Sequence, residues 1–230
     1  DVSSAGQGEI QLKNVDVQFA VTTGGGNDAL TFNSATADHA VATNAGNDTV
    51  TITATQNGSF VTGAGNDTIN LDDVTGAYVV NAGAGNDTAV VSGDADAIIV
   101  GGEGTDILRI DATAALQNNT NTAISGFETL DLDAALTLSS GQFATMNTMN
   151  LSSDSGLPTL NLGGTGSDTA GITLDASGLT KDTALTPTVT ITGTAFADTL
   201  TGGSIAEAFV MTAGADAIEG GSTGVDSLTL

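Results

Sequence analysis

The residues best placed to do chemistry are aspartates that return at a fixed interval behind glycines. Asp28, Asp48, Asp67, Asp87 and Asp106 are separated by 20, 19, 20 and 19 residues. Four and two positions before them stand Gly24 and Gly26, Asn44 and Gly46, Gly63 and Gly65, Gly83 and Gly85, and Gly102 and Gly104. Carboxylates and main-chain carbonyls are hard oxygen donors that suit Ca²⁺. Glycine at φ > 0 lets those carbonyls turn toward an ion. The spacing therefore predicts one column of calcium sites across residues 23–106, each Asp reaching an ion held between its own turn and the next.

An element must place the aspartates in register. After each Asp runs a short β-prone segment such as Thr49-Val50-Thr51-Ile52-Thr53. Between units lies another: His39-Ala40-Val41-Ala42, Ser59-Phe60-Val61-Thr62, Ala77-Tyr78-Val79-Val80 or Ala97-Ile98-Ile99-Val100. Two strands and two turns per 19–20 residues make one coil of a flattened parallel β-roll, with neighbouring coils about 4.8 Å apart. Each coil buries its apolar residues and satisfies its backbone only with the coils beside it. Antiparallel hairpins would also use Asn-Asp and Gly turns, but they do not explain an Asp in one slot at one period.

Composition excludes several function classes. With 3 Lys+Arg against 27 Asp+Glu, the formal net charge is −24, so nucleic acid and anionic membranes are poor partners and cations good ones. There is no Cys, hence no disulfide and no thiolate zinc site. A lyase or epimerase acting on uronates needs a cationic groove, but Lys13, Arg109 and Lys181 lie 96 and 72 residues apart in sequence. His39 is the only histidine and has no nucleophile constellation beside it. Stacked Thr-x-Thr rows on a solenoid could bind ice, but the triplets here form no continuous array. The expectation is that the chain is not an enzyme.

Gly101-Gly102-Glu103-Gly104-Thr105-Asp106-Ile107-Leu108 resembles the nonapeptide of the RTX calcium-binding repeat family, and the other four units are close variants with Thr or Ala in the first Gly position. The resemblance implies an all-β, right-handed parallel β-roll or β-helix solenoid with calcium-binding turns, several Ca²⁺ ions, type I secretion and folding on extracellular calcium. RTX chains usually carry the motif every 9 residues on both edges; this one carries it once per coil, and Asp38, Gly58, Gly76 and Asp96 hold the opposite slots. Patchy binding at most is expected there.

Residues 107–160 lose the signature but keep strands such as Glu128–Leu132 and Ala135–Leu138, so the solenoid is expected to continue without metal, with a Ser-capped helical turn over residues 139–146 at a corner. Gly164, Gly166 and Asp168 restore a calcium turn. From residue 193, acids recur at Asp198, Glu207, Asp216 and Asp226, intervals of 9, 9 and 10, which is the RTX period; Asp198, Asp216 and Asp226 join the expected metal ligands. Remaining acids, including Asp72, Asp73, Asp131 and Asp133, are assigned to a solvated face.

The organisation read from this is a cap or preceding coil over 1–22, a calcium solenoid over 23–110, a metal-poor continuation over 111–160, further coils over 161–192 and an RTX block over 193–230. The chain opens on Asp1 and reads as a piece of something longer. Ile124–Leu132 resembles segments of bacterial surface-layer proteins, which implies an extracellular, cell-surface structural segment that assembles with copies of itself and meets surface polysaccharide through a region outside this chain. The alternative is an RTX module supporting a separate adhesin or enzyme domain.

Overall fold

The computed structural model describes residues 9–13, 18–33, 38–53, 57–72, 77–92, 96–112, 114–115, 123–146, 149–152, 159–164, 168–182 and 184–230. Nearly all of its strands pair in parallel, forming a β-solenoid of about nine coils. Sheet I has six strands, from Phe19–Thr22 to Ala123–Ser125, and sheet II has nine, from Glu9–Lys13 to Thr180–Lys181. Sheet III has six strands, from Ala114–Ala115 to Ser227–Thr229, and sheet IV has three, Thr173–Asp175, Thr199–Thr201 and Ala217–Glu219. Registered partners in sheet II, Ala29, Thr49, Thr68, Thr88 and Ile107, step by the same 20, 19, 20 and 19 residues as the aspartates.

Strand alternation decides what enters the core. Side chains two apart share a face, so Asp28 points inward with Leu30 and Phe32, and Asp67 with Ile69 and Leu71; all six are buried. Opposite them sheet I contributes Val21, Val41, Phe60, Val80, Ile99 and Ile124. The thin core is filled by shape rather than bulk. Gly58 leaves a gap in the column between His39 and Tyr78, and a Cβ there would lie 2.5 Å from the Phe60 ring, which occupies the space. Phe60 meets Phe32 edge-on at 5.6 Å and Tyr78 at 5.9 Å between ring centres.

The expected helical turn is present as Ser140–Phe143. Gln142 N–H donates to Ser139 Oγ (3.3 Å) and Ser139 N–H to Gln142 Oε1 (2.9 Å), a reciprocal capping box. Thr145 Oγ1 then donates to the Ile124 carbonyl in the last strand of sheet I, while Phe143 and Met146 plug the core. The turn thus covers the open edge where sheet I stops. Ser139→Ala is expected to lower stability by about 1 kcal/mol, read as a shift of the urea midpoint with an unchanged slope.

Candidate cation-binding edge

The corner from sheet I into sheet II is built from four ladders that run along the stack. Strands Gly58–Ala64, Ala77–Ala84 and Asp96–Glu103 extend through the glycines, so Gly63, Gly83 and Gly102 pair in parallel where the sequence suggested a free turn. Gly46, Gly65 and Gly85 N–H donate to the carbonyls of Ala64, Ala84 and Glu103, each at 2.8 Å. Inside the corner, the hydroxyls of Thr23, Thr43 and Thr62 donate to the carbonyls of Thr43, Thr62 and Ala82 (3.0, 2.8 and 2.8 Å). Outside it, Asn47, Asn66, Asn86 and Thr105 N–H donate to the side-chain oxygens of Asn27, Asn47, Asn66 and Asn86 in the preceding coil (2.9–3.0 Å).

The fourth ladder is the aspartate column, whose donors point to the next coil like those of the glycine and threonine ladders and opposite to the asparagine ladder. The N–H groups of Asp28, Asp48, Asp67 and Asp87 donate to Oδ1 of Asp48, Asp67, Asp87 and Asp106 in the next coil (2.8, 2.7, 2.7 and 2.8 Å). Each carboxylate therefore replaces a missing sheet hydrogen bond at the corner. Glu128 ends the series, its Oε2 accepting from Asp106 N–H at 2.9 Å. The sequence reading did not place Glu128 here. Its signal was an acid about one coil beyond Asp106 and two residues after Gly126, which has φ of 71°.

One oxygen per coil is left over. Oδ2 of Asp48, Asp67, Asp87 and Asp106 is buried and accepts no hydrogen bond. A buried anionic oxygen without a partner is costly, and four in adjacent coils repel one another. Burial is the main reason the Asp67 and Asp106 carboxyls titrate higher than usual, and it pushes Asp87 up to about 6.

The C-terminal block sorts differently. Asp198 is fully satisfied: Oδ1 accepts from Ile172 N–H (2.8 Å) and Thr194 Oγ1 (2.8 Å), and Oδ2 from Thr194 N–H (2.7 Å). Asp198 N–H donates to Asp216 Oδ1 (3.1 Å), and Glu207 N–H to Asp226 Oδ1 (3.0 Å), so alternate acids fall on opposite edges. Glu207 accepts from Gly203 N–H at 2.9 Å, keeps Oε2 buried and unpaired, and is pushed up to about 7, mainly by burial. Asp226 is exposed and Asp216 half-buried. Asp168 sits beneath Gly164, where a Cβ would be 3.0 Å from its Oδ2. The column position above Asp198 belongs to Ile172, because Thr169–Gly171 intervene between Asp168 and the next strand. Gly166 lies outside the described residues, as do Gly76 and Asp73 and the side chain of Asp96; Asp38 is exposed.

Two further polar residues are buried: Asp131, which the sequence assigned to a solvated face and which lies covered on the outer face of sheet II, and His39. Asp131 is 5% exposed rather than solvated, and its Oδ2 alone receives both Arg109 Nε (2.7 Å) and Nη2 (2.6 Å), while Oδ1 is buried without a hydrogen bond. His39 is buried against Phe32, and burial holds its imidazole below the ordinary histidine value. No family model, curated protein or solved structure matches the chain.

Among the described residues no three carboxylates converge on one point. A cation at this edge would take one carboxylate oxygen from a coil and the rest of its shell from main-chain carbonyls. The unpaired Oδ2 atoms fit that role for a hard ion. Asp198, with both oxygens occupied, fits a structural role instead.

Proposed function

We propose that this chain is a non-enzymatic structural segment of an extracellular scaffold, a bacterial surface layer by its RTX-like motifs, in which Ca²⁺ staples successive coils of an otherwise self-repelling solenoid. The observation that carries this reading is the file of buried carboxylates at Asp48, Asp67, Asp87 and Asp106, each with one oxygen that the protein leaves unpaired. Bound calcium would supply positive charge to those oxygens, with Asp28 extending the file. With a net charge of −24, a chain kept from divalent cations gains little by compacting. Millimolar calcium outside the cell would favour the folded state through linkage, since ions bind the stacked coils and not the extended chain. Low chemical diversity supports a scaffold: of the three basic residues, Arg109 is committed to Asp131.

The experiment is circular dichroism on chelator-dialysed protein titrated with Ca²⁺ or Mg²⁺. A gain of β signal specific to Ca²⁺ is expected, because Mg²⁺ demands near-ideal octahedral geometry and sheds water reluctantly. A chain fully folded in chelator and indifferent to calcium would overturn the staple. Asp67→Ala, which removes both the free oxygen and the acceptor for Asp48 N–H, is expected to weaken the calcium response and to cost about 1–3 kcal/mol in chelator as well. Asp67→Asn, which can keep an acceptor without the charge, should lose only the first.

A further inference from the structure

Two outward columns of sheet I stand apart from the rest of this acidic surface, although the column before them includes the exposed Asp38 and Asp96 of the strand Asp96–Glu103. The pairing of the sheet lines up Ala20, Ala40, Ser59, Val79, Ile98 and Ala123 in one column. A second column runs from Thr22 through Val61 to Ser125. Neither column contains a charged residue, although the chain carries 27 acids. Val61, Val79 and Ile98 are 41%, 45% and 39% exposed, and together they make an apolar centre on a flat surface of small side chains. The outer face of sheet II, unlike these two columns, carries the Arg109–Asp131 pair and the exposed Asp72.

We infer that this face is where two copies of the chain meet, sheet against sheet, which deepens the scaffold reading and rests on it. The charge distribution selects the occupant. A second copy brings the same −24 charge, so copies can touch only where acids are absent from both sides. A cationic partner would find no carboxylate to grip in these columns. A neutral glycan would lack an aromatic platform, because the only large aromatic exposed among the described residues is Phe196, far along the chain. Small side chains also let two twisted sheets approach closely, and the same patch serves both copies of a two-fold pair.

The size of the face sets the strength. Six strands about 4.8 Å apart, with about four residues each, give a footprint of roughly 300–400 Å² per copy. Stable pairs bury about 800 Å² per partner, so this contact is weak when made once and becomes persistent where many copies are held side by side.

The test uses the absence of cysteine. Ser59→Cys, at the centre of the face, and Thr49→Cys, exposed on the outer face of sheet II, are treated with a short bis-maleimide cross-linker in Ca²⁺. Cross-linking through residue 59 is expected to exceed that through residue 49 by about tenfold, and Val79→Glu with Ile98→Glu in the Ser59→Cys background should abolish the excess. Circular dichroism of each variant verifies its fold. Equal yields at the two sites, or an excess that survives the paired glutamates, would overturn the interface. A calcium-driven β signal with no preference for residue 59 would do so while leaving the staple intact; preferential cross-linking in a chain indifferent to calcium would do the reverse.

Discussion

Gly85→Ala is expected to cost the fold about 3 kcal/mol or more, enough to prevent the central coils from stacking. Gly85 has φ of 138°, a region open to glycine and strained for alanine. A Cβ there would lie 1.8 Å from the Gly65 carbonyl oxygen and 2.6 Å from its carbon, both main chain of the neighbouring coil. Nothing flexible is available to move. Relief would require coils to separate, breaking the bond from Gly65 N–H to the Ala84 carbonyl and the Asp67–Asp87 rung beside it. Gly141→Ala is the matched control: it lies in the helical turn with nothing within 4 Å of an added Cβ, and should be neutral or stabilising by up to about 1 kcal/mol. Urea unfolding in Ca²⁺ separates them, and equal midpoints for the two variants would refute the close-stacked corner.

Stripped of divalent cations, the chain should become more stable as pH falls from 8 to 5, the reverse of the usual acid destabilisation. The sign follows from the buried carboxyls. Asp87 rises from 3.8 to about 6 and Glu207 from 4.5 to about 7, with Asp67 and Asp106 raised as well. A carboxyl that holds its proton more tightly when folded contributes fully below its unfolded value near 4, and that contribution is lost as pH climbs through about 6 to 7. About one unit of the Asp87 shift and two of the Glu207 shift lie above pH 5, so these two groups contribute at most about 4 kcal/mol between pH 5 and 8. Calcium would place positive charge on the same oxygens, so the slope should flatten when the series is repeated with the ion. Urea midpoints against pH, in chelator and in Ca²⁺, give the comparison. Midpoints that rise with pH in chelator would mean that the free Oδ2 atoms find partners in solution.

Much of the coil was legible from one dimension because a solenoid is nearly one-dimensional: contacts join each residue to its counterpart one coil away, so the sequence period is the structural period. That is why the step between Asp28 and Asp106 reappears in the strand register, and why the cap at Ser139 could be read locally. Asp168 and Asp131 were less legible. Asp168 carries the right local motif, but three intervening residues shift it out of the column that Ile172 enters. Asp131 is adjacent to nothing informative in the chain; its partner Arg109 is one coil away, and only stacking shows that the carboxylate is covered.

By itself, then, the sequence determined the repeat, the parallel coils and the line of aspartates, since spacing and strand alternation need no knowledge of distant contacts. The tertiary structure alone decided what those aspartates do first. Two-residue alternation turns Asp48, Asp67, Asp87 and Asp106 inward beside the apolar core, and the stack aims the N–H of each preceding coil's aspartate at Oδ1. One oxygen becomes part of the backbone's own hydrogen bonding and the other is stranded, a division that depends on the position of a neighbouring coil and so cannot be written in any single motif.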